Sequence, residues 1–214
     1  MMKSVMSRIL IVDDHAVVRR GLREILAEVP QVEVSETGDP HEALRMVLEE
    51  SWSLVVLDID LPGKSGLELL KDVKRERPRL PVLILSVYPE EQFAVRTLKA
   101  GASGFLSKDS ATADLVTAVR KIIRGGKYFS EHVVEMLLSH PNAKEAEHPH
   151  DLLSDRELQI LCLFGSGKTV SEIAGELSLS RPTVSTYRAR ILEKMQMRTT
   201  AELMRYAIEN RLVN

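Results

Sequence analysis

The stretch Leu54 to Gly66, LVVLDIDLPGKSG, constrains this chain more than any other. Four apolar residues, Leu54 to Leu57, run without interruption into Asp58. A run so short and unbroken suits a strand buried on both faces, as in a parallel sheet. Asp58 then sits where the strand emerges, the edge at which open α/β sheets keep their ligand sites. Pro62-Gly63 turns the chain at once. An acid at one strand end is also what a plain solvated turn shows; a site requires other strands that end the same way.

They exist. Ile9 to Val12 leads into Asp13-Asp14-His15, and Val82 to Leu85 leads into Ser86. Gly104 to Ser107 leads into Lys108, while Val32-Glu33-Val34 alternates as an edge strand does. Helical spacings lie between these runs: Val17, Val18, Leu22, Ile25 and Leu26 in one, Ala43, Leu44, Val47 and Leu48 in the next. Others hold Leu67, Leu70, Val73 and Lys74, then Phe93, Ala94, Thr97 and Leu98, then Leu115, Val116, Val119, Ile122 and Ile123. Five strand–helix units predict a flavodoxin-like, doubly wound, five-stranded parallel sheet of order 2-1-3-4-5.

In that order the first and third strands are neighbours, so Asp13, Asp14 and Asp58 converge. Three carboxylates in one pocket raise one another's pKa unless a cation sits among them, and hard oxygen donors of this kind suit Mg²⁺. Ser86 and Lys108 arrive from the next two strands. A hydroxyl, an ammonium and a divalent cation around one carboxylate make a phosphoryl-acceptor site with Asp58 as nucleophile. His15 reads as a helix-start residue rather than a ligand.

The net charge of −2 excludes a chain that is basic throughout but not a local basic patch. The single cysteine, Cys162, falls on the apolar side of a helical pattern; it fits core packing and a reducing cytoplasm. The N-terminal apolar run is too short for a signal peptide, and no stretch approaches the roughly 18 apolar residues of a membrane span. After Gly125-Gly126 one more short helix is expected, followed by the polar linker SHPNAKEAEHPHD, whose His140, His148 and His150 read as solvated.

The last third is helical. Ser154…Glu157 and Thr169…Glu172 have the capping-box spacing, Ser180 is an N-cap with Pro182 in the first turn, and Thr199 opens a fourth helix. Val184, Tyr187, Ile191, Leu192 and Met195 form the apolar stripe of the third helix. The tight LSLS turn between the second and third reads as helix-turn-helix. Between Arg181 and Arg198 the basic residues are Arg181, Arg188, Arg190, Lys194 and Arg198, against Glu193 alone. That local excess is what a recognition helix uses for phosphate contacts. Arg181 and Thr183 suit phosphate anchoring at the helix start, and Ser185, Thr186, Arg188 and Ala189 are candidates to face bases.

Taken together, DD, D-x-x-L-P-G, S and K at successive strand ends resemble the receiver domain of two-component response regulators. LSxRExxIL and SxxEIAxxLxLSxxTVxTYxxRIxxKM resemble the LuxR-type effector domain of the NarL/FixJ class. The resemblance implies a receiver over 7–126, a connector helix and flexible linker over 127–151, and an all-α, four-helix DNA-binding domain over 152–214. It implies that Asp58 takes a phosphoryl group from a histidine kinase. Mg²⁺ would be held by Asp14 and Asp58, with Asp13 in the outer shell and Asp60 giving its backbone carbonyl. Ser86 and Lys108 would contact the phosphoryl oxygens, and Phe105 would turn inward as the switch. It further implies homodimerisation through the fourth effector helix on paired DNA half-sites, and RNA polymerase as a further partner. Lys108-Asp109 stands where the family often has Lys-Pro, and Val87 where many members have alanine. The alternatives are a phosphohydrolase of the haloacid dehalogenase type, since Asp58-Ile-Asp60 superficially fits its D-x-D motif, and a DNA-binding regulator that works independently of phosphorylation.

Overall fold

The computed structural model describes residues 6–139 and 148–213, so most of the expected linker, His140 included, lies outside it. The chain divides into two compact units between Val134 and Glu135.

In the first unit five strands alternate with five helices. These are β1 (Ser7–Val12), α1 (Ala16–Leu26), β2 (Val32–Thr37), α2 (Pro40–Glu49) and β3 (Leu54–Asp58). There follow α3 (Gly66–Glu76), β4 (Val82–Ser86), α4 (Glu90–Lys99), β5 (Gly104–Ser107) and α5 (Ala111–Ile123). All pairings are parallel and the order is β2-β1-β3-β4-β5, as the strand–helix alternation predicts. Every residue of β3 and β4 is buried, because each face of a central strand meets a helical layer. Ile9, Ile11, Leu54, Val56, Leu83, Leu85 and Leu106 pack on one face against α1 and α5. The residues between them point to the opposite face, which α2, α3 and α4 cover. Each such fully buried aliphatic side chain contributes about 1.5–3 kcal/mol. The alternating β2 is an edge, and β5 is the other.

Some stripe assignments shift. Val17 is 85% exposed, so the core face of α1 is made by Leu22 and Leu26 with Val18 and Ile25 beside them. Lys74 lies half-buried with its ammonium on the Leu80 carbonyl at 2.6 Å, which turns a charge in an apolar stripe into a loop clasp. The first unit also runs beyond the expected boundary at 126. Tyr128 bridges Gly104 on the free edge of β5, and its carbonyl accepts from the Phe105 amide at 2.9 Å. Val133, in the helix α6 (Glu131–Ser139), is buried.

The second unit holds α7 (Asp155–Gly165), α8 (Val170–Glu176), α9 (Arg181–Lys194) and α10 (Thr200–Glu209). Both expected capping boxes form, at Ser154 with Glu157 and at Thr169 with Glu172, and Ser180 caps α9 through the Thr183 amide. α7 is buried from Arg156 to Gly165 and packs against α9 and α10. Gly165 permits the approach to α10: a Cβ there would meet the Ala207 methyl at 2.6 Å. Cys162 is buried, as its place in the pattern implies. His150 is not solvated. It lies in a short 3-10 turn, Pro149–Leu152, 4% exposed, with Nδ1 2.7 Å from the Tyr206 hydroxyl on α10. The unit therefore starts earlier than 152, because this histidine has a polar partner waiting on α10. No helix among the described residues is long and apolar enough to cross a membrane.

Candidate functional site

The register of the central strands assembles the acidic pocket. Val12 pairs with Leu57, so the next residues, Asp13 and Asp58, emerge side by side. Asp58 pairs with Leu85, which places Ser86 one step beyond it at the end of β4. Ser86 in turn pairs with Ser107, and the Lys108 amide donates to the Ser86 carbonyl at 2.8 Å. The loop after β3 is tied back by the Gly66 amide, which donates to the Ile59 carbonyl at 2.9 Å. Gly66 is required there, since a Cβ would lie 1.9 Å from the Asp58 carbonyl oxygen.

The Lys108 ammonium lies 2.6 Å from Asp58 Oδ2 and 2.8 Å from Asp13 Oδ2. The other Asp58 oxygen, Oδ1, is buried and has no hydrogen-bond partner. Asp13 Oδ1 accepts from the His15 amide at 2.8 Å, and the Asp13 carbonyl accepts from Arg19 at 2.7 Å. Burial lifts the Asp58 carboxyl well above the ordinary carboxylate range; Lys108 pulls it down, while Asp13 and Asp60 push it up. Burial opposes the Lys108 charge, but Asp58 and Asp13 outweigh it and hold that pKa above the ordinary lysine value. One cation thus faces an excess of buried negative charge.

Asp13, Asp14, His15 and Asp58 each offer one donor atom, all within 4.8 Å of one another. The orphaned Asp58 Oδ1 among oxygen donors fits a divalent cation. His15 does start α1, but its side chain makes no capping bond and joins this cluster. Asp60 is placed differently. Its carboxylate accepts from the Tyr88 hydroxyl at 3.0 Å, and the Tyr88 ring stacks on Phe93 with centroids 4.7 Å apart. Ser86 is fully buried, its Oγ accepting from the Tyr88 amide at 2.9 Å. Phe105 is buried, 2% exposed. The peptide bond between Lys108 and Asp109 is trans.

In the second unit, α9 turns Val184 and Ile191 into the core. Arg181, Thr186, Ala189 and Arg190 are exposed, while Thr183, Ser185 and Arg188 are half-buried. Pro182, Thr183, Thr186, Tyr187 and Arg190 line one shallow open cleft along the helix. Tyr187 therefore belongs to the outer face rather than the apolar stripe; the spacing 183, 186, 187, 190 carried that signal. The Lys194 ammonium is 2.6 Å from Glu157, the capping carboxylate of α7, and so is engaged within the unit. Burial raises the Glu157 carboxyl, but the bonds from Lys194 and Ser154 outweigh it and leave it below its ordinary value. Arg156 and Gln159 are buried polar residues that spacing did not reveal, bonded to each other at 2.6 Å.

Residues 9–120 match the family described as the response regulator receiver domain, and residues 151–207 match the bacterial regulatory proteins of the luxR family. The chain belongs to the NarL/FixJ-type two-component response regulators. Among relatives of this response regulator, UvrY of Escherichia coli is 33% identical over 211 residues, 98% of this chain and 97% of its own. GacA of Pseudomonas viridiflava is 35% identical over 211 residues, 98% and 99% of the two chains. Among solved structures, a complex of the response regulator RcsB with DNA matches with TM-score 0.58 and 26% identity over 94% of this chain and 98% of that one. These relatives are response regulators, which leaves the phosphohydrolase alternative without support.

Proposed function

We propose that this response regulator is a cytoplasmic transcription factor whose Asp58 accepts a phosphoryl group from a sensor histidine kinase. The observation that carries the proposal is the state of the Asp58 carboxylate: one oxygen held by Lys108, the other buried and unpartnered beside Asp13 and Asp14. Lys108 orients the nucleophile and offers positive charge to the incoming phosphoryl oxygens. Ser86, now bonded to the Tyr88 amide, is the hydroxyl that would turn to the new oxygens, with the buried Phe105 as the aromatic switch. The carboxylates of Asp13, Asp14 and Asp58, with the main-chain carbonyl of Asp60, are the groups to hold Mg²⁺. Bound there, the ion would offset the charge of the group being transferred. The receiver promotes its own phosphorylation and dephosphorylation and no other reaction.

Phosphorylation shifts a conformational equilibrium that controls dimerisation and DNA binding. α9 is the helix to enter the major groove. Arg181, Thr183 and Arg190 serve as phosphate anchors, and Thr186 and Ala189, flanked by Ser185 and Arg188, lie nearest the bases. α10 would pair two copies, so that the operator carries two half-sites about one DNA turn, roughly 34 Å, apart. RNA polymerase is the expected downstream partner.

The test is a titration of full-length protein against genomic DNA fragments, with Mg²⁺ and with or without a small acyl phosphate. The phosphodonor should lower the concentration needed for binding, and Asp58→Asn should remove that effect. Identical isotherms under both conditions would separate DNA binding from phosphorylation.

A further inference from the structure

We propose that His15 is an additional ligand of the acidic pocket, supplying an imidazole nitrogen. It gives the site a preference for Co²⁺ or Zn²⁺ that a site of oxygens alone lacks. The inference rests on the reading of that pocket as a cation site.

His15 Nδ1 lies 2.6 Å from Asp14 Oδ1 and 3.6 Å from Asp13 Oδ1. Its ring nitrogen and one oxygen from each of Asp13, Asp14 and Asp58 all fall within 4.8 Å of one another, a spread that one ion can span. Two further observations favour a ligand over a helix cap. The imidazole makes no capping bond to α1, although His15 occupies the N-cap position. Its side chain is also 62% exposed at the mouth of the pocket, so the ring can turn without displacing packed neighbours. Asp58 is 1% exposed and its Oδ1 has no hydrogen-bond partner, which leaves an unsatisfied buried acceptor on a carboxylate of the same cluster.

The donor chemistry explains why a histidine matters here. Three carboxylates already crowd the pocket against one ammonium, and a fourth would add repulsion. Neutral imidazole completes a coordination set without adding charge. Mg²⁺ prefers oxygen ligands and retains its waters, whereas imidazole suits the later divalent ions, whose affinities rise along the first transition row.

The test uses the full-length chain in native, His15→Ala and Asp14→Ala forms, each titrated calorimetrically with Mg²⁺, Mn²⁺ and Co²⁺. Electron-spin-echo spectroscopy of the Mn²⁺-loaded protein reads whether a nitrogen nucleus is directly coupled to the ion. Native protein should show that coupling and His15→Ala should lose it. Co²⁺ affinity should fall by about tenfold or more in His15→Ala, since even an outer-shell partner contributes that much, and Mn²⁺ affinity should fall by less. Mg²⁺ affinity should change little. The inference is overturned if no nitrogen coupling is seen, if it survives in His15→Ala, or if all three ions weaken equally. The last result would make His15 a hydrogen-bond partner of Asp14 and nothing more. If no ion binds, or if Asp14→Ala binds as well as the native chain, the cation-site reading itself fails together with the inference.

Discussion

Gly66→Ala is the sharpest perturbation of the acceptor pocket, because it adds one methyl group against backbone. The new Cβ would start 1.9 Å from the Asp58 carbonyl oxygen, 2.8 Å from the Asp58 carbonyl carbon and 2.8 Å from Ile59 Cα. Real Cβ atoms essentially never come within 3.0 Å of a neighbour, so the end of β3 or the start of α3 must move by about 1 Å. Neither is free to do so. β3 is the centre of the sheet, and the Gly66 amide is bonded to the Ile59 carbonyl. Overpacking of this kind costs about 3 kcal/mol at the upper end of its usual range, which for a unit of this size lowers Tm by roughly 10 °C. A displacement of about 1 Å at the nucleophile slows reaction by roughly a hundredfold. The assays are thermal unfolding followed by circular dichroism, and the rate of labelling by acetyl phosphate with Mg²⁺. Gly63→Ala is the control. Gly63 has φ of +71° but nothing within 4 Å of a Cβ, so that change should cost about 1 kcal/mol of backbone strain and spare the labelling rate. Gly66→Ala protein with native Tm and native labelling would refute the close-approach argument.

Three further outcomes follow from the same contacts. Lys108→Met should destabilise the receiver by about 3 kcal/mol in chelator, because it strands two buried carboxylates, and divalent cation should restore part of the loss; melts with and without Mg²⁺ read this. A carboxyl whose folded pKa is raised binds its proton more tightly when folded, so stability falls as pH rises from the unfolded value toward the folded one. In chelator the native receiver should therefore lose stability relative to Asp58→Asn as pH climbs above 3.8, the ordinary value for Asp58, as measured by urea unfolding across pH. Arg190→Ala should reduce the salt slope of DNA binding by about one, whereas Lys194→Met should leave the slope nearer native and lower the melting point of the second unit, because its ammonium is spent on Glu157.

The sequence carried the sheet order because the informative residues sit at strand ends. Unbroken apolar runs such as Leu54 to Leu57 mark central strands, alternation marks Val32 to Val34 as an edge, and the residues just past each run converge by topology alone. Capping boxes at Ser154 and Thr169 were equally legible, since their partners lie three residues away. What sequence missed were contacts between residues far apart in the chain. Lys194 reaches Glu157, His150 finds Tyr206, and Tyr128 returns to the edge of β5. No periodicity encodes such pairs. His15 does start α1, as its place in the chain implies, but an N-cap position describes the backbone and says nothing of where the imidazole lies, here with Nδ1 2.6 Å from Asp14 Oδ1.

The central claim is that converging strand ends make Asp58 the phosphoryl acceptor. Its most direct test is to label the full-length chain with acetyl phosphate and Mg²⁺, trap the acyl phosphate with borohydride, and map the modified residue by mass spectrometry. Modification at Asp58, dependent on divalent cation and absent in Asp58→Asn, is the expected result. Modification at another residue, or undiminished labelling of Asp58→Asn, would contradict it.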